Sequence, residues 1–424
     1  MKQRHIPLLF ATAAMLMATT SCNKDQFDKD IYNDEVDIQF MIDNVDKQHD
    51  WNLTHSSSIY IKTDTEKIRS VQLLTENPYT STDAEIIAES VVFGSAQELA
   101  YTLPITQNSA YAVAYDAYGN PLGYTEFLFE DISLELSLAI LKKQDTFYKP
   151  DYQTFTYLYE STFPMPDDFD FNDCVLRISK RNPELGNSLV VDLTVTLEAV
   201  GAGELYAGAI QLDGIRMEDI EKVEIVGGKA MDDGYPIDPA TFIKNKDVWQ
   251  EGKTHNVLIR LFECAQFAIS KKQDYAGDIA IIRYNTARTD RENYSATVDP
   301  LTVTYRIYFK DADKAHSLTF DRIDPFIIHQ YNIGHFEVHT YAHKFDLCIS
   351  NLDTNLKAYD NHISWAVVIP KGDFRYPIEN MPLSTFSTLT GSAFGPYDGF
   401  ATWMGNHLIS RDWYLTPTRP QLLY

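Results

Sequence analysis

The sequence predicts an all-β fold: an immunoglobulin-like sandwich over residues 37–140, then a larger, jelly-roll-like β-sandwich over residues 150–424. Three observations predict it. Apolar and polar side chains alternate in short runs, as half-buried strands do, and long helical periodicity is scarce. Tyrosine and phenylalanine are abundant throughout. With 424 residues the chain exceeds what one core accommodates, so two or three domains are expected.

At the N-terminus Lys2 and Arg4 precede an apolar stretch over residues 6–18, too short to span a bilayer. Small residues then lead directly to Cys22. The stretch resembles the lipobox of bacterial lipoproteins, which implies a signal peptide over residues 1–21 and lipidation of Cys22. The plain alternative is a secretory signal with a chance cysteine. Residues 22–36 read as an acidic tether, too polar to pack. Their aspartates resemble the export signals of surface lipoproteins, which implies an outer-membrane protein exposed on the cell surface. No later segment has eighteen uncharged apolar residues, so the lipid would be the sole membrane contact. Each buried methylene of it adds about 0.8 kcal/mol.

Within the first sandwich, residues 56–63, 68–75 and 110–130 alternate as strands. Tyr111, Val113 and Tyr115 share one face, and the turn at 118–121 makes the last run a hairpin. Residues 131–145 read as a final strand or a short helix, and Lys149-Pro150 marks the boundary. Residues 187–201, 255–265 and 301–310 are further strands, separated by the long polar connections 229–254 and 285–299.

Net charge is −24, which argues against nucleic acid or anionic membranes as partners and favours divalent cations. Beyond Cys22 only Cys174, Cys264 and Cys348 remain, far apart and odd in number. They read as buried thiols, with a single pair such as Cys174–Cys348 left open.

The sharpest local feature is PDDFDFND, residues 166–173. Asp168, Asp170 and Asn172 alternate and Asp173 adjoins them, a set of hard oxygen donors suited to calcium. Glu160 adds a carboxylate from the preceding strand. The loop is not an EF-hand, because Asp173 stands where the glycine belongs and Ser179 where the bidentate glutamate belongs. Two readings stand: a calcium loop pinned by Phe169 and Phe171 turned into the core, or a solvated acidic turn.

The stretch YLYESTFPMPDDFDFNDCVLRI (157–178) resembles the opening of the LruC-type domain. LEAVGAGELYAGAIQLDGI (197–215), VLIRLFECA (257–265), DPFIIHQ (324–330), FEVH (336–339) and the stretch from WAVVIPKGDFRYPIEN (365–380) through 397–415 follow in that family's order. The resemblance spans about residues 150–424. Two departures stand out: Tyr159-Glu160-Ser161 replaces Phe-Glu-Asp, and HTYAHKF replaces an apolar-Pro-Gly run. The resemblance implies a secreted or surface lipoprotein with an all-β module, and no particular activity.

His335, Glu337, His339 and His343 would project from one face of a strand and offer zinc ligands. The strand would span about 26 Å at roughly 3.3 Å per residue, too far for all three histidines to share an ion. A polar strand face is the alternative. Carboxylate pairs for glycoside hydrolysis are too numerous to pick from sequence, and no Gly-x-Ser-x-Gly, His-Glu-x-x-His or phosphate-cradling loop occurs. Trp365, Phe374, Tyr376, Trp403, Trp413 and Tyr414 either stack on sugars or fill the core. The expected function is a non-enzymatic adhesion or ligand-binding module for an extracellular glycan or protein. A carbohydrate-active hydrolase and a structural envelope or fibre-associated protein are the alternatives.

Overall fold

The computed structural model describes residues 45–424, apart from 93–95, 162, 164–167, 186, 230–247, 253–254, 271–274, 277–279, 287–294, 330–335, 349–361 and 389–390. The signal segment, Cys22, the tether, His335 and most of both long polar connections lie outside the described residues. What is described is all-β, as the alternation demands.

The smaller unit is a sandwich of two sheets. One orders Gln97–Pro104, Thr54–Thr63 and Ser133–Leu136, so the 131–145 stretch does supply a strand. The other orders Pro121–Leu128, Ser109–Tyr115, Ser70–Leu74, Glu85–Val91 and Asp151–Tyr152. Between them lies a core of Ile59, Ile61, Val71, Leu73, Ile87, Leu99, Tyr101, Leu103 and Phe127. Residues 109–128 form the expected hairpin. Its alternation divides it: Ala110, Ala112 and Ala114 face this core, while Val113, Tyr111 and Tyr115 join a second cluster with Tyr79 and Tyr124.

The larger unit repeats the plan. A six-stranded sheet runs Ile220–Gly228, Leu301–Phe309, Val190–Ala199, Cys174–Arg181, Thr154–Tyr159 and Ala366–Ile369. A five-stranded sheet faces it, running Trp249–Glu251, Asn256–Phe262, Tyr206–Arg216, Ile323–His329 and Glu337–Val338. The strict alternation of residues 193–199 and of Leu301–Phe309 sends Leu193, Val195, Leu197, Val303, Tyr305 and Ile307 inward against Ile210, Leu212, Val257, Ile259 and Ile327.

One end of this sandwich closes with rings rather than strands. The helix Asp398–Gly405 buries Phe400, Trp403 and Met404, and Trp413 packs 5.0 Å from Phe400. Trp365, Phe374, Tyr376, Trp403, Trp413 and Tyr414 are all buried, so none of the six forms an exposed stacking platform. The same cluster captures residues before the first strand. Trp51 sits 5.5 Å from Trp403, edge to face, and donates from Nε1 to the His362 carbonyl at 2.8 Å. His49 Nε2 lies 3.0 Å from the Trp403 carbonyl, and the Asp46 amide donates to Met404 O. Trp51 and Leu53 therefore belong to the larger core, although the chain passes through the whole smaller unit before building it.

All three described cysteines are buried thiols, none of them in a disulfide. Trp51→Ala removes an edge-to-face ring and leaves a cavity in the larger core, and should lower stability by about 3–5 kcal/mol. The urea midpoint of the full chain measures it.

Candidate functional site

The acidic loop lies between the strands Thr154–Tyr159 and Cys174–Arg181, against the aromatic end of the larger core. Phe169 and Phe171 both point inward and both adopt left-handed backbone, with φ of 54° and 56°. For residues of this bulk such geometry costs of order 1–3 kcal/mol and persists where packing enforces it. The packing here is specific. Phe169 lies 5.5 Å from Trp365 and Phe171 5.9 Å from Phe400. With the rings inward, Asp168, Asp170 and Asn172 alternate away from them.

Three of the five expected ligands converge. Carboxylate oxygens of Glu160, Asp168 and Asp170 lie within 4.8 Å of one another. Glu160 is fully buried and accepts from the Phe171 amide at 2.6 Å. Asp170, 2% exposed, accepts from the Asn172 and Asn380 amides, each at 2.9 Å. Asp173 turns elsewhere and accepts from the Ser161 amide at 2.6 Å, so its carboxylate braces the loop. Asn172 donates to the Pro377 carbonyl at 3.2 Å, while its buried Oδ1 has no hydrogen-bond partner. Asp173 thus stands outside the converging group, while Asn172 keeps its side-chain oxygen unengaged beside it.

The electrostatics follow from the geometry. Burial, then the neighbouring Asp168, Glu379 and Asp173 carboxylates, push the Asp170 carboxyl well above the ordinary range. The Asn172 amide opposes that shift. An all-oxygen site of this kind suits a hard cation, which takes six to eight oxygens. Backbone carbonyls or water would complete the set.

The histidine cluster is arranged differently from the expected strand. Glu337–Val338 is a two-residue strand, and His343 lies in the turn Tyr341–His343 that follows. His339 is buried between two carboxylates, with Nδ1 2.6 Å from Asp324 Oδ2 and Nε2 3.0 Å from Glu337 Oε2. Burial alone would lower its pKa; Asp324 and then Glu337 outweigh burial and raise it to about 10. His339 is therefore an imidazolium at neutral pH, donating from both nitrogens. Glu337, His339 and Cys348 bring ligand-type atoms within 4.8 Å, and a metal bound there would have to displace the proton that His339 shares with Glu337. Cys348 is held by Gln211, which accepts from Sγ at 2.9 Å. Asp324 was missed from sequence. Its signal was an aspartate opening the apolar strand Ile323–His329, and nothing in the spacing tied it to a histidine fifteen residues on.

Two outcomes follow from these contacts. A Cβ at Gly201 would lie 2.7 Å from the Asn172 carbonyl oxygen, so Gly201→Ala should push on the loop and cost about 1–3 kcal/mol in chemical denaturation. His339 has a folded pKa of about 10 against an ordinary 6.5. Its contribution is complete below pH 6.5 and is lost as pH rises through 10. Denaturation across pH 7 to 10.5 should show that fall. His339→Asn should flatten it, and at pH 7 should cost about 3–5 kcal/mol, because two buried carboxylates lose their cation.

Residues 187–414 match a family described as "Domain of unknown function (DUF4842)". The match starts just after the acidic loop and contains the Asp324–His339–Glu337 triad. No curated protein matches the chain. Among solved structures, a crystal structure of a Bacteroides ovatus protein assigned as a lipoprotein shares the fold, with a TM-score of 0.54 and 15% identity over 85% of this chain and 99% of that one. The full-length major pilin SpaD of Corynebacterium diphtheriae has 9% identity over 70% of this chain and 67% of that one, and its TM-score of 0.14 supports no likeness. The family match covers more than half of the 424 residues, and the chain belongs to the DUF4842 family.

Proposed function

We propose that the chain is a lipid-anchored protein of the outer cell surface, held through Cys22, whose larger sandwich is ordered by calcium and serves as an adhesion or ligand-binding module. The observation that carries the calcium part is the convergence of Glu160, Asp168 and Asp170 oxygens within 4.8 Å, two of them on buried residues. Like charges so close and so dry repel strongly unless a proton or a cation intervenes. The lipobox-like run before Cys22 and the ordered resemblance to LruC-type domains support the surface placement. The Bacteroides ovatus protein of like fold, itself assigned as a lipoprotein, is consistent with it.

Calcium here has a structural task. It cancels the repulsion around Asp170 and fixes the loop whose two phenylalanines close the aromatic end of the core. Because the Asp170 carboxyl is raised, the calcium-free fold loses stability as pH climbs above the ordinary carboxylate value near 3.8. Calcium replaces the lost proton, so its stabilisation grows with pH.

Thermal unfolding of the full chain with calcium and with chelator tests this reading. At a calcium concentration a hundred times its dissociation constant, the fold should gain about 2.7 kcal/mol. The gain should be larger at pH 8 than at pH 5, and Asp170→Ala or Glu160→Gln should remove it. Coincident curves in calcium and chelator at pH 8 would discard the ion and leave a proton-stabilised loop.

A further inference from the structure

A groove of about 590 Å³ runs along the junction of the two units. The smaller unit contributes Glu76, Asp83, Glu85 and Asp151, and the larger unit Lys371 and Asp373. A neighbouring hollow of about 360 Å³ shares Glu85, Asp151 and Gly372 and carries the groove on over the hydroxyls of Thr154, Ser179 and Thr194 to Arg177, which pairs with Glu198 at 3.5 Å. The junction is firmly built. A Cβ on Gly372 would meet the Thr154 Cβ at 2.7 Å, and Thr156 Oγ1 donates to the Lys371 carbonyl at 2.7 Å. The turn at 370–373 therefore sits flush on the sheet, and the groove is preformed.

The chemistry of the main groove is one-sided. Five carboxyl groups face one ammonium, and Asp373 already engages Lys371 at 2.7 Å. Pro104, Pro370 and the half-exposed Leu415 supply an apolar corner. An apolar wall beside carboxylates matches a long side chain with an aliphatic stem and a cationic head. We propose that this groove binds lysine- or arginine-rich segments of a partner polypeptide. The inference deepens the ligand-binding half of the proposed function and is independent of the calcium loop.

Glu85 supplies a distinctive readout. Burial, with Asp373 and Asp151 adding to it, pushes its carboxyl up to about 8, while the Thr154 backbone and Lys371 pull the other way. At pH 7 the group is largely protonated. An ammonium docked beside it favours the carboxylate, so binding releases a proton to the buffer.

The test is isothermal titration calorimetry on the full chain, using pentalysine as probe and pentaglutamate and maltopentaose as comparators. Pentalysine should bind, and Asp151→Asn with Asp373→Asn should weaken it at least tenfold. Both side chains are exposed, so the fold should tolerate the change. Asp64→Asn with Glu66→Gln, an equal charge loss at exposed positions outside the groove, should change affinity less than twofold. Lys371→Glu should tighten binding. Heats in phosphate and Tris at pH 7 should differ by the released proton, and Glu85→Gln should erase that difference. Equal weakening by both charge-removing pairs would overturn the inference in favour of non-specific attraction to an acidic protein. Maltopentaose binding in place of pentalysine would overturn it too, while leaving a ligand-binding module intact. Binding of none of the three would overturn the inference and remove the groove from the ligand-binding reading, and the calcium measurement would stand unaffected.

Discussion

The larger sandwich depends on keeping carboxylates out of water beside one another. Glu160, Asp170, Asp173, Asp324 and Glu337 are all buried, and an isolated buried carboxylate is among the costliest groups a fold can contain. For these five the molecule uses two different means; Asp192, also buried, is paired with Arg181 and Arg306. At Asp324 and Glu337 the compensating charge is internal, a protonated ring wedged between them and stacked 4.2 Å from Phe326. At the acidic loop the compensation within the chain is a set of backbone amides from residues 161, 171, 172 and 380. Amides soften the repulsion without cancelling charge, whereas the ring at Asp324 and Glu337 brings a charge of its own.

Burial of the acidic loop is itself a product of the aromatic end. Phe169 and Phe171 hold their strained backbone because Trp365 and Phe400 receive them, and Phe400 is in turn fixed by Trp403 and Trp413. The C-terminal rings thus do for the loop what a disulfide does in smaller exported domains. They bring segments more than two hundred residues apart into one packed unit, with every described cysteine left as a thiol.

Much of this was legible in sequence, for physical reasons that also mark where legibility stopped. Alternation in 193–199 and 301–309 is strict because one face of each strand is dry there, so those strands could be read directly. The density of carboxylates at 166–173 is unusual enough to flag the site, and Glu160 could be added because it directly follows the preceding strand. Which oxygens converge could not be read, since that depends on amides donated by Ser161 and Asn380, and Asn380 is two hundred residues distant. The histidines misled because a run of alternate polar residues looks like a strand face, whereas the chain turns after Val338. Trp51 was indistinguishable from a residue of the first sandwich, because nothing local records that its ring is received by the helix Asp398–Gly405.

That capture of residues 46–51 has a mechanical meaning. A chain tied to a surface at its N-terminal end and tugged from outside transmits tension along its backbone to the first well-fixed point. Among the described residues that point is the union of Asp46, His49 and Trp51 with Met404, Trp403 and His362, which lies in the larger unit. Force entering from the N-terminal side would reach the larger sandwich before the strand Thr54–Thr63, and the smaller sandwich would hang outside the load path like a bead beside a taut cord. Shear would then test the aromatic seam first.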